Sequence, residues 1–585
     1  MSIDSGTNAD LAVHPDRRGF VPDPAARIAR LTPAGTVAGA LLDRARRDPD
    51  AVAFYLPDEP ADDRRITVAG LLERAHAAGA ALAVAGLRRG GRVCLCLDTS
   101  ADLLSGLFGA ALLGAVPSVL EPPLSAGRKQ LWLDRVRHIV TVAQPQVVVC
   151  DEELREATVE ALAGLDVTVL SPPFRPGSVA EPVLAADPEE PAFIQFTSGT
   201  TSAAKGIVLS HRAVLAAAAA IGLGGPFYEG DLLASWLPLH HDMGMVGATM
   251  TPFLLSLPSV LIRPLAFGTR PDRWLRLIHQ YRATISPAPN FAYRLVAAIG
   301  RKVDLTGVDL SCWRKAFNGA EVVDAGTLRD FLAVAEPLGF RPEHLRPCYG
   351  MAELGLAATF SPLGTPPRTE PVSRTAMAER GQALPPTSEQ DTHHYVSSGV
   401  PVPGTKIRVA DPADLDLPER HVGRVLVASE SMMTGYLNGP ADPLLELRDG
   451  WLDTGDLGFL LDGELFVTGR SKDLIILAGR NHQPQTFERA AETADGVKPG
   501  GAVAVGVPDP RSGTERMVVV VESRNHRDPD RAADTARAVE RAVSDQTGVR
   551  PAQVIVVPPR TLPKTSSGKL QRPQVAAMVA AGSLG

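Results

Sequence analysis

Residues 197–206 read "TSGTTSAAKG" and lie between two apolar runs, "PAFIQF" and "IVLS". The stretch gathers hydroxyl side chains, glycines and one lysine, Lys205, between two expected strands. Backbone N–H groups, hydroxyls and a cation are what a polyphosphate requires of a loop. The spacing is not that of the common nucleotide loop, because no Gly-Lys-Ser/Thr follows Gly199 where that loop needs it. Alone, the stretch reads more readily as an ordinary polar turn.

Other residues add weight. "NGAE" (318–321) and "PCYGMAE" (347–353) each close an apolar run. Glycines at strand ends let a flat ring approach the backbone, and Tyr349 has a face to stack on it. Glu353 offers a hard oxygen ligand suited to Mg²⁺ held between phosphates, or simply a charge at a helix start. In "WLDTGDLGFL" Asp456 sits in a turn, where it serves the turn or accepts from the hydroxyls of a ribose. "VTGRSKDLI" brings Arg470, Lys472 and Asp473 together, as a reactive cluster or as a solvated charged linker. "LPKTSSGKLQR" (562–572) puts Lys569 on a Ser-rich turn, a surface position or a cation that can reach a distant anion.

Positioning these residues takes more than one domain, since 585 residues exceed what one core usually serves. Helix-like and strand-like segments alternate from residue 51 to about 171. "RVCLCLD" (92–98) is a strand, 100–115 a helix, 116–121 and 145–151 further strands. The alternation resumes at Phe193 and implies helix-covered parallel sheets. The Pro- and Thr-rich stretch 361–395 has little apolar periodicity and reads as structureless. Short β segments follow it, then a separate αβ pattern of about 110 residues, with a helix over 530–546, to the end.

The net charge of −7, without basic blocks interleaved with aromatics, argues against nucleic-acid binding. The first twenty residues lack the apolar stretch of a secretory signal. Residues 245–262 are apolar but broken by Pro252 and Pro258, so a buried helix and strand are expected rather than a membrane span. Five cysteines without metal-ligand spacing suit a reduced, cytoplasmic protein.

In their order, "FTSGTTSAAKG", "NGAE", "YGMAE", "TGD", "GRSKD" and "PKTSSGK" resemble the motifs of the adenylate-forming superfamily: acyl-CoA synthetases, peptide-synthetase adenylation domains and luciferases. The resemblance covers nearly the whole chain, and six ordered motifs are far more specific than one. "WLPLHHDMGM" (236–245), "SPAPNFAYRL" (286–295) and "KDLIILAGRNHQPQTFE" (472–488) look like the fatty acyl-AMP ligases, which load an acyl carrier protein rather than coenzyme A. That branch carries an insertion where 361–395 falls. Ser202 and Ala204 replace the usual glycine and proline of the loop, and Gln483 stands where the branch commonly shows an aromatic.

The resemblance implies an α/β fold with a large N-terminal domain of helix-covered mixed sheets and a small β-barrel-like subdomain (1–469). A hinge (470–474), with Lys472 as pivot, and a mobile α+β C-terminal domain (475–585) follow. It implies ATP and Mg²⁺ as cofactors. Thr197, Ser198, Gly199, Thr200, Thr201 and Lys205 would hold phosphates, and Glu353 the Mg²⁺. Gly319, Ala320, Glu321, Tyr349, Gly350 and Met351 would frame adenine, with Asp456 and Arg470 on the ribose. Lys569 would bridge the substrate carboxylate and the α-phosphate, and His241 would gate that carboxylate. Asp242 either links within its loop or mimics an ammonium anchor. Met245, Val246, Ala288, Phe291 and Leu354 are the expected acyl pocket. The partners would be a fatty acid and a phosphopantetheinylated acyl carrier protein in trans, since no carrier segment follows Gly585. An acyl-CoA ligase, an amino-acid-activating domain and a retired nucleotide-binding module are the alternatives.

Overall fold

The computed structural model describes residues 28–29, 35–123, 129–174, 187–196, 205–439, 447–448, 450–477, 480–509, 514–564 and 570–584. The expected alternation is realised as two helix-covered sheets. Arg92–Cys96, Val116–Val119, Val147–Cys150 and Thr168–Leu170 form a four-stranded parallel sheet. The second sheet has nine strands. At its centre, Leu345–Gly350, Lys315–Gly319, Ile285–Pro289, Leu233–Ser235, Ser259–Leu261 and Val52–Tyr55 run parallel, with antiparallel strands at both margins. The strands read as near-continuous apolar runs because helices cover both faces. Ala101–Leu112 is capped by Ser100, whose hydroxyl accepts from the Leu103 N–H, and every residue of this helix except Asp102 is buried.

The apolar stretch past residue 243 is a π-helix, Met243–Met250, then a short helix and the strand Ser259–Leu261, all buried except Gly247. Among the described residues no helix is long and apolar enough to cross a membrane. The five cysteines are free thiols.

The small β subdomain is a five-stranded antiparallel sheet built on Trp451–Leu461, which pairs with Gly423–Ser429 and Glu464–Arg470. The segment 361–395 is not structureless, contrary to the sequence-based expectation. Thr369–Ser373 pairs antiparallel with Thr392–Val396, and Arg374–Arg380 is a helix between them. Its few apolar side chains, Val372, Ala383 and Tyr395, are buried against Phe459, Leu461 and Phe466. Tertiary burial supplies the order that its own pattern lacks.

From Ile475 onward a three-stranded sheet carries helices on both faces, with one apolar core on each side. Neither core shares a residue with those upstream. This part docks through charged contacts. Arg294 Nη1 meets Glu492 Oε2 at 2.9 Å, Arg480 meets Glu379 at 2.8 Å, and Arg374 donates to the Gln546 carbonyl at 2.9 Å.

Candidate active site

The parallel strands of the nine-stranded sheet deliver the motifs at their carboxyl ends, where open α/β sheets bind ligands. "NGAE" ends Lys315–Gly319, and "PCYGMAE" ends Leu345–Gly350 and turns through a short 3₁₀ helix, Ala352–Leu354. A cavity of about 640 Å³ opens at this point and reaches both the small β subdomain and the C-terminal part.

Its mouth is polar. The Tyr349 O–H donates to Asp456 Oδ2 at 2.7 Å, and Arg470 Nε lies 3.3 Å from Asp456 Oδ1. Asp456 and Arg470 face each other across paired strands. Asp456 is buried, and its own N–H donates to Thr454 Oγ1. A carboxylate held this way on the cavity wall is a fixed acceptor for hydroxyls.

Glu353 also lines the cavity, and the Tyr436 O–H donates to its Oε1 at 3.0 Å. Burial pushes the Glu353 carboxyl above its ordinary pKa, with Tyr436 opposing and the Asp242 charge adding to the rise. The Lys205 ammonium stands 4.5 Å over the Tyr436 ring. Among the described residues no three His, Cys, Asp or Glu gather as a metal nest. A single costly carboxylate that shares Tyr436 with the Lys205 ammonium fits Mg²⁺, which commonly takes one or two carboxylates plus substrate phosphates. Glu353→Gln is therefore expected to raise the Mg²⁺ concentration needed for half-maximal activity. A Mg²⁺ titration identical to that of the wild type would remove Glu353 as a ligand.

His241 and Asp242 line the same wall. His241 Nδ1 lies 2.6 Å from Asp242 Oδ1, which also accepts from the Met243 N–H. Asp242 thus links within its own loop. Ala320, Glu321, Tyr349, Gly350 and Met351 border the cavity, and Ala320 holds a left-handed φ of +62°. Gly319 does not border it. A Cβ there would meet Cys348 Sγ at 2.6 Å, so glycine serves strand packing instead. Lys472 is on the wall as well. Thr197, Ser198, Gly199, Thr200, Thr201 and Lys569 lie outside the described residues.

The expected acyl pocket needs correction. Met245, Val246, Ala288 and Leu354 are buried in the packed cores, and Phe291 stacks edge-on to Trp236. None of the five lines the cavity. For Met245 and Val246 the physical reason is the π-helix, which turns Met243 and Gly247 to the cavity and these two to the core. The apolar wall is instead Ile221, Phe227, Leu233, Ile285, Phe317 and Phe360. This lining runs along the sheet face from the carboxyl ends back to Leu233 and Ile285, which open their strands.

Tyr436 was not legible as a site residue, although "TGYLN" follows the small sheet's first strands closely. Arg489 and Arg572, from the C-terminal part, also line the cavity. Arg489 pairs with Asp324, and Arg572 grips Glu488 with two bonds of 2.8 and 2.7 Å.

Two carboxylates at a polar mouth, Asp456 and Glu353, with an apolar channel behind them, suit an enzyme that joins a nucleotide to an apolar acid. The comparisons agree: residues 41–437 match the family model described as AMP-binding enzyme, and the chain belongs to that family. It is 32% identical over 513 residues to the medium-chain-fatty-acid–[acyl-carrier-protein] ligase JamA of Moorena producens, covering 83% of this chain and 85% of that one. It is 30% identical over 582 residues to the long-chain-fatty-acid–AMP ligase FadD26 of Mycobacterium bovis, covering 92% and 96%. A solved structure from work on fatty acyl-adenylate ligases of E. coli and L. pneumophila superposes with a TM-score of 0.84. It shares 31% identity and covers 96% of this chain and 98% of that one.

Proposed function

We propose that this protein activates a fatty acid with ATP, forming an acyl-adenylate and pyrophosphate, and passes the acyl group to the thiol of an acyl carrier protein. One observation carries the reading: a polar mouth built on Asp456, Arg470 and Glu353 continues into an apolar channel along the sheet. In the first step a carboxylate oxygen attacks the α-phosphorus and pyrophosphate leaves. Both reactants are anions, so catalysis is positioning plus charge neutralisation. Asp456 and Arg470 anchor the ribose, and Tyr349 and the backbone at Ala320 and Gly350 border the adenine. Lys205 and the loop before it would hold the phosphates, and Glu353 would hold Mg²⁺, which would supply charge neutralisation there. His241, braced by Asp242, orients the incoming carboxylate.

In the second step the thiol attacks the acyl carbon and AMP leaves. Rotation of 475–585 about 470–474, pivoting at Lys472, exchanges Lys569 for the "LAGRNH" loop. The 361–395 segment grips the C-terminal part through Arg374 and Glu379. That grip disfavours the rotation unless a carrier protein adds contacts of its own.

Pyrophosphate release across acids of increasing chain length tests the reading, with product mass measured after adding coenzyme A or carrier protein. Each buried CH₂ contributes about 0.8 kcal/mol, roughly fourfold, until the channel ends. Flat length dependence or a preference for amino acids would overturn the fatty acid assignment. Ready turnover with coenzyme A would make the protein an acyl-CoA ligase.

A further inference from the structure

Asn290 opens the helix Asn290–Gly300 directly after the strand Ile285–Pro289, whose Ile285 and Pro287 line the cavity. Asn290 lines it as well, although it is only 6% exposed. One end of its side chain is fixed. Oδ1 accepts from Asn318 Nδ2 at 3.2 Å and from the Asp324 N–H at 3.5 Å. A backbone N–H can only donate, so the amide atom facing it is the oxygen, and Nδ2 lies on the other side. Among the described residues Nδ2 meets no acceptor, and it is not sealed in the core as the Asn318 Oδ1 is. A side chain more than nine-tenths buried thus turns a free donor to the cavity. The next helical N–H, that of Phe291, is already taken by Glu321 Oε2 at 2.8 Å. The donor on offer is therefore the side chain, not the helix end.

Sheet order fixes what that donor meets. Leu345–Gly350, Lys315–Gly319, Ile285–Pro289 and Leu233–Ser235 lie side by side in this order. Tyr349, Gly350 and Ala320, at the ends of the first two, border the adenine in the reading above. His241 and Asp242 follow the fourth, and His241 orients the incoming carboxylate there. Pro289 pairs with Gly319, so Asn290 stands level with Ala320, one strand spacing of about 4.8 Å nearer the histidine. Pro287 and Ile285 lie below it on the same strand. An acid whose chain follows these two residues brings its carboxyl group up beside Asn290. A buried donor left unmade is costly, and an oxygen at this point removes the cost.

We infer that Asn290 is a substrate-binding residue whose Nδ2 donates to the carboxyl oxygen of the acid, the one that becomes the acyl carbonyl. The inference rests on the channel being the acyl site, as proposed above.

Asn290→Asp keeps an oxygen for Asn318 and Asp324 and exchanges the donor for a second acceptor, while Asn290→Ala removes both. Steady-state pyrophosphate release gives KM for a fatty acid and for ATP in the wild type and in each variant. Both variants are expected to raise KM for the acid about ten- to a hundredfold, as a hydrogen bond to a charged oxygen allows, with KM for ATP held within about twofold. Asn290→Asp should show the larger rise, because it sets a carboxylate against a carboxylate. KM does not depend on the fraction of enzyme that is folded, so a less stable preparation still reports it. An unchanged KM for the acid, a rise in KM for ATP alone, or an equal rise in both would overturn the inference. Fatty-acid-dependent release by the wild type beside any of those results leaves the acyl reading standing. Silence of the wild type toward every fatty acid overturns that reading, and this inference with it.

Discussion

Lys569→Ala is expected to lower acyl-adenylate formation about a hundredfold or more while leaving ATP binding nearly intact. A preorganised donor aimed at developing charge is worth about 3 kcal/mol in transition-state stabilisation. The residues after Lys569 support the role. Leu570 and Arg572 line the cavity, and Arg572 is fixed by its paired bonds to Glu488 and by Asp473 at 3.4 Å. Burial would lower the Arg572 pKa, but the carboxylates around it raise it above the ordinary arginine value, Glu488 foremost among them. The cation is therefore permanent at the cavity edge. Single-turnover adenylate formation beside nucleotide binding makes the measurement. A near-normal single-turnover rate would end the assignment of Lys569.

Asp456→Ala is expected to reduce kcat/KM for ATP by about a hundredfold, mostly through KM. Asp456 accepts from Tyr349 and faces Arg470, so its carboxylate is fixed before any nucleotide arrives. Hydrogen bonds to a charged acceptor contribute about 1.5–3 kcal/mol each, and the substitution also strips Tyr349 and Arg470 of a partner. Steady-state kinetics against ATP, with thermal unfolding run in parallel, distinguishes loss of binding from loss of fold. An unchanged KM for ATP would remove Asp456 from the nucleotide site.

Tyr349 and Glu353 could be placed from the sequence because a short motif at a strand end fixes both the element and its direction; Asp456, expected in a turn, lies instead in the middle of the strand Trp451–Leu461. Asp456 and Arg470 come from motifs apart in sequence yet fall opposite each other in strand pairing. The apolar channel was not legible. Its wall is drawn from single residues of several strands, such as Leu233, Ile285 and Phe317, and no local pattern marks which face of a buried strand meets a void. The π-helix compounded this, because ordinary helical spacing around Met245 points to the wrong side. Gly319 shows the same ambiguity. A glycine kept for strand packing and one kept for a ligand read alike in sequence. The order of 361–395 was invisible for a third reason. Val372, Ala383 and Tyr395 are too few to show a period, and they become a core only against another sheet.

That shared core ties two parts of the chain into one cooperative unit. Phe459 and Phe466, stacked 4.8 Å apart, are capped by Tyr395, which meets Phe459 edge-on. A two-stranded ribbon such as Thr369–Ser373 with Thr392–Val396 is marginal alone in water. The sheet beneath it, in turn, would expose two phenylalanines if the ribbon lifted. Neither opens without the other, so the grip on the C-terminal part is as durable as the sheet itself. It resists release by local fraying, the route by which weakly packed surface segments usually let go.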